Sequence, residues 1–304
     1  MIKKLTLFST IVTLGIQLSA QDMFPIRRLS PDPGRMGFPS WSPDSKSIVY
    51  QYSSMYDTLG KNGLWKISDA GGEAKKIFSG IAEHPKWSPD GKYIVFDADS
   101  GKSIRMIPAA GGDIIKFLPD SVQIQNGGLP CWSPDGSSIA FVERKNLSLC
   151  IWNFTTGKLT SIFSQPGKVP LPGGWWVDGK SILVGLMDLK RRKSIILRIF
   201  TDGKRTEQII CDHENFYRHL ALSPDGTLLI FAALEGKYLG LYIMLSEGGK
   251  SLPLAVAKEN HTEAAVWSPD GKKIVFTRSG KFGILLMDID TKKIKKDLQI
   301  LNKQ

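Results

Sequence analysis

The chain has 304 residues, of which 42% are hydrophobic and 23% charged, and it carries a formal net charge of +11. This composition is typical of a folded globular protein and excludes a disordered or fibrous chain. The three cysteines (Cys131, Cys150 and Cys211) include no Cys-x-x-Cys pair. A disulfide framework and a zinc finger are therefore excluded, and we expect mostly buried free thiols.

The first twenty residues have the pattern of a secretory signal peptide. Residues 1–4 are basic, residues 5–18 are mostly apolar, and Ala20 provides a small residue before the expected cut. The apolar stretch is shorter than the roughly 20 residues that a spanning helix needs. We therefore predict that residues 1–20 are a signal peptide and that the mature chain has no transmembrane segment. The predicted location is periplasmic or secreted.

The charge of the mature chain restricts its partners. Cleavage removes Lys3 and Lys4, which lowers the net charge from +11 to +9. A basic exported protein meets anionic polysaccharides, lipid head groups and acidic proteins, so we expect a protein or an anionic envelope component as partner and no nucleic acid. The alternative is that scattered lysines only keep the surface soluble.

Six copies of one phrase occupy the rest of the chain. Each has a turn aspartate, usually within Trp-Ser-Pro-Asp-Gly, followed by an alternating apolar segment. The spacing is 43–47 residues, and the aspartates are Asp44, Asp90, Asp135, Asp178, Asp225 and Asp270. A near-constant period of this size without a helical pattern predicts propeller blades. We predict one all-β domain over residues 21–304, a monomeric six-bladed β-propeller with four-stranded antiparallel blades.

Each repeat contains four predicted strands, lettered A to D in chain order. In the second repeat these are residues 85–88, 93–97, 104–108 and 114–118. The phrase itself is the turn between A and B, in which Pro presets φ and Gly takes the left-handed position. Its Trp offers a large apolar surface to the next blade. The phrase is therefore structural.

Three repeats depart from this pattern. Ser45 stands at the Gly position, which predicts a strained turn or another turn type. Trp176 and Val177 replace Ser and Pro, so blade four is the irregular one, and Leu222 stands where the other five copies have Trp.

These Trp-Ser-Pro-Asp-Gly repeats resemble those of the TolB-type β-propeller family, also called WD-like propeller repeats. The resemblance extends from about residue 26 to the C-terminus and implies a six-bladed propeller. TolB itself has an α/β domain before its propeller, whereas about fifteen residues separate Gln21 from the first repeat here. The resemblance is therefore to the propeller part only.

Two segments compete to complete the last blade. Residues 26–30 have the pattern of an outer strand without a blade of its own, and residues 294–301 could equally be the fourth strand. We favour the N-terminal segment.

The loops suggest which end of the propeller binds a partner. The B–C and D–A connections share one end, the top face, while the uniform A–B and C–D turns share the bottom face. Longer and more varied loops carry function more often, and aromatic and arginine side chains are frequent in interface hot spots. The candidate binding residues are Tyr56, Arg191, Arg192, Tyr217, Arg218 and His219. They predict a non-catalytic binding or scaffold protein; the alternative is that these are solvated loops without a ligand.

The alternative from another class is a carbohydrate-active, polysaccharide-lyase-like enzyme with its site at the channel mouth. Propeller lyases of related repeat families use clustered histidines on a metal. His84 and His219 each stand six residues before a turn aspartate, in blades two and five, so we expect them to face each other across the channel. Opposite walls are too far apart for bonds of about 2.1 Å to one zinc ion. We therefore expect no metal and no cofactor.

Two further sequence patterns bear on phosphate binding and on hydrolase activity, and neither predicts that function here. Residues 174–181 match the phosphate-loop pattern G-x-x-x-x-G-K-[ST], but they are in register with the other hairpin turns. The sequence contains no G-x-S-x-G nucleophile elbow, so it does not match the peptidases that carry a propeller beside a hydrolase domain.

Overall fold

The computed structural model describes residues 23–30, 36–54, 57–124, 128–143, 146–191, 193–212, 217–279 and 283–304. The chain enters through β1 (Ile26–Arg28) and then builds its blades in order. Blade 1 consists of β2 (Met36–Trp41), β3 (Ser47–Tyr52), β4 (Gly63–Ser68) and β5 (Lys75–Ser79). Blade 2 consists of β6 (Ala82–Trp87), β7 (Tyr93–Ala98) and β8 (Ser103–Pro108). Blade 3 consists of β9 (Cys131–Trp132), β10 (Ser138–Glu143), β11 (Ser148–Asn153) and β12 (Lys158–Phe163).

The second half of the chain continues this order. Blade 4 consists of β13 (Lys168–Trp175), β14 (Ser181–Asp188), β15 (Lys193–Phe200) and β16 (Thr206–Ile209). Blade 5 consists of β17 (Arg218–Leu222), β18 (Leu228–Glu235), β19 (Tyr238–Leu245) and β20 (Leu252–Ala255). Blade 6 consists of β21 (Thr262–Trp267), β22 (Lys273–Arg278) and β23 (Gly283–Asp288), with β1 as its outer strand. Helix α1 (Thr291–Asn302) ends the chain.

Blade 2 departs from its prediction at both edges. Its first strand starts three residues earlier than expected, at Ala82, because it contains a bulge. Its predicted fourth strand, residues 114–118, is reduced to a single bridge between Met106 and Ile115. The other predicted strands of this blade are present.

The core is a ring of six hydrophobic clusters, one between each pair of neighbouring blades. Strand B of each blade supplies residues to two clusters, because successive side chains point to opposite faces of a sheet. In β3, Ile48 and Tyr50 pack towards blade 6 while Val49 packs towards blade 2. The interfaces therefore follow each other around a closed circle, and the predicted six-bladed, all-β propeller is confirmed.

The N-terminal segment closes the ring, as favoured from the sequence. β1 pairs antiparallel with β23, with Arg28 opposite Leu285. The N–H of Leu29 then donates to the carbonyl oxygen of Ile284 at 2.9 Å. Leu29 is buried in the cluster between blades 6 and 1.

The competing prediction, a strand over residues 294–301, is wrong, because this segment lies in α1. The Asp290 side chain caps α1 by accepting the N–H of Lys293 at 3.0 Å. Ile294 and Leu298, four residues apart on one helix face, are fully buried in the cluster between blades 5 and 6. No helix in the described part of the chain has the length and apolarity needed to cross a bilayer.

The A–B turns show what each residue of the phrase does. In five of them the serine hydroxyl donates to the aspartate Oδ1 at 2.6 Å, as Ser88 does to Asp90. The same hydroxyl accepts the N–H of a strand-B residue at 2.9 Å, as from Tyr93. Ser45 keeps the same turn with φ of 60°, so the strain predicted there is confirmed.

The turn tryptophans join neighbouring blades, as predicted. Trp132 Nε1 donates to the carbonyl oxygen of Lys86, and Trp175 Nε1 donates to that of Cys131. Each bond reaches from one blade to the preceding one. The phrase therefore closes its own hairpin and also contributes to the blade interface.

Candidate functional site

The innermost strands carry a repeated bulge that shapes the channel. The residue six positions before the turn aspartate has positive φ in five blades: Phe38 (47°), His84 (51°), Leu129 (51°), His219 (51°) and Ala264 (54°). In blades 1, 2, 5 and 6 the pairing of strands A and B shifts at this place. A bulge redirects a side chain, and all five of these residues line the central cavity.

The central cavity has a volume of about 480 Å³ and receives residues from all six blades. Leu147 and Leu189, which lie in B–C loops, line its upper part, so the cavity belongs to the top-face half of the channel. A second cavity of about 410 Å³ lies beside it and shares Phe38, Glu263 and Ala264 with it. Volumes of about 300–1,000 Å³ are usual for small-molecule sites.

One histidine–carboxylate pair holds the wall at blades 2 and 3. Asp97 is fully buried, and its Oδ2 lies 2.7 Å from His84 Nδ1. The Asp97 carboxylate also accepts the N–H groups of Gly128 at 2.7 Å and Leu129 at 3.2 Å. Gln51, the counterpart of Asp97 in blade 1, accepts the N–H of His84 at 2.9 Å. Strand B thus stabilises the bulge of the next blade.

A second pair joins blades 5 and 6, where His219 Nε2 lies 3.1 Å from Glu263 Oε2. Burial lowers the pKa of His219, and the bond to Glu263 opposes this shift. The His219 ring in turn holds the pKa of Glu263 below its usual range. A neutral His219 therefore donates its Nε2 proton to an ionised Glu263.

Both histidines line the cavity, as their common position predicted, and the ring of Phe38 is close to both of them. Its centroid is 4.1 Å from that of His84 and 5.2 Å from that of His219. Among the described residues, no three His, Cys, Asp or Glu side chains are grouped to hold one metal ion.

Lys86, which stands four residues before the turn aspartate Asp90, also lines this cavity. Burial lowers the pKa of its ammonium group, and the neighbouring Cys131 opposes this shift. No hydrogen bond or ion pair links Lys86 Nζ to a residue in the described ranges. Burial also raises the pKa of the Cys131 thiol to about 12, so Cys131 is not a reactive nucleophile.

The predicted binding residues occupy different environments. Arg191 is exposed on the B–C loop of blade 4, where its N–H donates to Asp188 Oδ1 at 2.9 Å. Tyr217 is buried, with its ring 5.4 Å from that of Phe231. Arg218 and His219 line the cavity together with Tyr217, and Arg218 is exposed. Tyr56 and Arg192 lie outside the described residues.

Sequence reasoning missed three side chains of this site: Phe38, Lys86 and Glu263. Their positions relative to the turn aspartate could have identified them as cavity residues. They stand six, four and seven residues before a turn aspartate, where the other repeats also place cavity residues.

Exposed apolar side chains favour the top face. Five large ones lie on B–C or D–A connections or at the adjoining strand end: Leu59, Ile81, Leu189, Ile210 and Leu234. Among the described residues, the bottom-face turns carry two, Ile114 and Val177, and helix α1, which contacts those turns, carries Ile300. The top face therefore offers more apolar surface to a partner.

Comparisons with known proteins show the extent of the likeness. No protein-family model matches the chain. The chain is 31% identical over 151 residues to the uncharacterized peptidase YuxL of Bacillus subtilis strain 168. That match covers 49% of this chain and 21% of YuxL, so the chain spans about a fifth of this relative's length.

Two solved structures illustrate the shared fold. TolB from Acinetobacter baumannii superposes with a TM-score of 0.60 at 16% identity, covering 84% of this chain and 64% of that one. An oligogalacturonate lyase in complex with manganese superposes with a TM-score of 0.60 at 13% identity, covering 90% of this chain and 95% of that one. At these identities the likeness concerns the fold alone, and the chain shares its six-bladed propeller scaffold with TolB propeller structures.

Proposed function

We propose that this is an exported, non-catalytic binding protein that recognises a protein or an anionic envelope partner through its top face. The observation that carries the proposal is the concentration of exposed apolar side chains on the top-face connections. The bottom-face turns, in contrast, repeat one hydrogen-bonded pattern and serve the fold.

Cationic side chains accompany this apolar surface. Arg191 follows Leu189 by two residues, and the exposed Arg218 lies at the cavity in the next blade. Apolar residues beside arginine are a frequent composition of interface hot spots, and the positive charge favours an acidic partner. Export rests on residues 1–20, which lie outside the described part of the chain.

The proposal is tested by partner capture with two matched variants of blade 4 and its neighbour. The top-face variant carries Leu189→Ser, Arg191→Ala and Arg218→Ala. The bottom-face control carries Val177→Ser, Lys180→Ala and Lys204→Ala, which are exposed as well. Leu189 and Val177 are 52% and 58% exposed, so the two apolar truncations are comparable.

Immobilised mature protein is incubated with envelope extract, and the captured proteins and lipids are quantified. We expect the wild type and the bottom-face control to recover the same saturable partner and the top-face variant to lose most of it, because truncated hot spots cost at least about tenfold in affinity. Equal recovery by all three proteins, or no saturable partner for any, would contradict the proposal.

A second candidate is a carbohydrate-active enzyme with its site in the channel. The pairs His84–Asp97 and His219–Glu263 favour it, because histidines oriented by carboxylates are typical acid–base groups. The test combines metal analysis of the purified protein with turnover assays on acidic oligosaccharides. Stoichiometric metal and a turnover that His219→Ala abolishes would replace the binding proposal.

A further inference from the structure

Lys86 is one of two cationic residues that line the channel cavity, the other being Arg218. No carboxylate in the described part of the chain contributes to the pKa of the Lys86 ammonium group. The two acids nearest the histidines are already engaged, Asp97 with His84 and Glu263 with His219. Among the described residues, Lys86 therefore has no anionic partner in a largely apolar cavity.

Such a charge has a physical consequence. Removing an ammonium group from bulk water is costly unless an anion or several acceptors replace the lost hydration. The described carboxylates nearest the cavity are engaged with histidines, and none of them pairs with Lys86. An anionic ligand would supply the missing partner, and it would form a charge-assisted hydrogen bond.

The part of the cavity wall formed by blades 3 and 4 is apolar. Blades 3 and 4 contribute a continuous set of hydrocarbon side chains: Val142, Leu147, Val169, Leu171, Met187 and Leu189. The charged and titratable groups His84, Lys86, Arg218, His219 and Glu263 belong to blades 2, 5 and 6. A ligand that fills the cavity must therefore be charged at one end and apolar at the other.

We infer that the channel binds a small monocarboxylate with a hydrocarbon body, whose head pairs with Lys86 and whose body lies against blades 3 and 4. A volume of about 480 Å³ accommodates such a molecule. Arg218, the second cation of the lining, acts on Glu263 and lowers the pKa of that carboxyl. Lys86 is thus left to balance one negative charge, which favours a carboxylate over a phosphate dianion. This site lies inside the channel and shares Leu189 and Arg218 with the proposed partner surface, whereas Lys86 and Met187 belong to the channel site alone.

The test uses isothermal titration calorimetry on the mature protein with octanoate as the probe. Three comparison compounds separate the contributions: octan-1-ol has the body without the charge, acetate has the charge without the body, and octylammonium reverses the charge. We expect octanoate to bind at one site, and each comparison compound to bind at least about tenfold more weakly.

Two lysine variants locate the site. Lys86→Met keeps a side chain of similar length without charge, and we expect it to weaken octanoate binding about tenfold or more. The matched control is Lys92→Met, whose side chain is 72% exposed on a bottom-face turn and whose loss should leave binding unchanged. Thermal unfolding checks the fold of both, and we expect Lys86→Met to be no less stable than the wild type because a buried unpaired charge is removed.

A wall variant keeps the test decisive if Lys86→Met fails to fold. Met187→Gln should weaken octanoate binding and leave acetate unchanged, because only the hydrocarbon body touches that wall. Three results would overturn the inference: no octanoate binding to the wild type, octan-1-ol binding as tightly as octanoate, or equal octanoate affinity in the wild type and a folded Lys86→Met. Retained partner capture by Lys86→Met would show that the two proposals stand separately.

Discussion

At the scale of single residues, the channel wall depends on side chains held in the left-handed region of backbone conformation. Phe38, His84, Leu129, His219 and Ala264 have φ between 47° and 54°. For residues other than glycine this region costs about 1–2 kcal/mol each. Hydrogen bonds to the preceding blade, such as the one that the N–H of His84 donates to Gln51, offset part of that cost.

Ala264 offers a direct measure of this strain, because it has the smallest side chain of the five. We expect Ala264→Gly to raise the free energy of unfolding by about 0.5–1 kcal/mol, since glycine adopts φ of 54° without a Cβ clash. Urea unfolding measures the change. Ala265→Gly, the adjacent buried strand residue, is the matched control and should lower stability by about 0.5–1 kcal/mol. A loss at both positions would mean that Ala264 is not strained.

The same residues show how far the sequence predicts the site. His219 and Arg218 were identified because histidine, arginine and aromatic side chains crowd one loop. Phe38 and Lys86 were missed because they belong to strands that resemble ordinary core, where alternation assigns each residue a face. The bulge breaks that alternation, and only the structure shows its position.

At the scale of elements, the A–B hairpin depends on its serine as much as on its proline and glycine. The Ser88 hydroxyl bridges Asp90 Oδ1 and the N–H of Tyr93. The hydrogen bond from Ser88 also holds the pKa of Asp90 below its ordinary value. The sequence indicated the turn, but the role of the serine became visible only from its atomic contacts in the structure.

Replacing Ser88 tests how much the two hydrogen bonds of its hydroxyl contribute to the stability of the A–B hairpin. We expect Ser88→Ala to lower the free energy of unfolding by about 1–3 kcal/mol, because the N–H of Tyr93 loses its acceptor in a buried place. The pKa of Asp90 should rise towards its ordinary value in a titration followed by NMR. Ser79→Ala, an exposed serine at the end of β5, should change neither quantity. An unchanged Asp90 titration in the Ser88 variant would contradict the assigned bond.

Helix α1 shows where element prediction fails. Residues 294–301 have apolar residues at positions 294, 298 and 301, a helical spacing that the strand interpretation overlooked. Two facts favour the helix: Asp290 caps its first turn, and Ile294 and Leu298 share one buried face. Lys295 adds an ion pair with Asp225 at 2.7 Å. The burial of Ile294 and Leu298 and the ion pair of Lys295 both involve blade 5, so they appear only when that blade is in place.

At the scale of the whole molecule, the repeat period predicts the ring because each blade must present matching apolar faces to two neighbours. Six clusters satisfy this requirement, one per interface. Closure was harder to predict, since either chain end could supply the last outer strand. Leu29 and the buried Ser30 decide it, because both contact Ile284 after β1 has paired.

Because the N-terminal segment closes the ring, a substitution in this segment should lower the stability of the whole propeller. We expect Leu29→Ala to lower the free energy of unfolding by about 2–5 kcal/mol, because its side chain fills the cluster between blades 6 and 1. Urea unfolding followed by tryptophan fluorescence and by circular dichroism should give coincident transitions, since an opened ring exposes edges on both neighbouring blades. Leu59→Ala, at a leucine 74% exposed, is the control and should stay within about 0.5 kcal/mol of the wild type. If Leu29→Ala cost as little as the control, or if it unfolded one blade ahead of the others, residues 26–30 would be an appendage and the other buried residues of blades 6 and 1 would hold that interface.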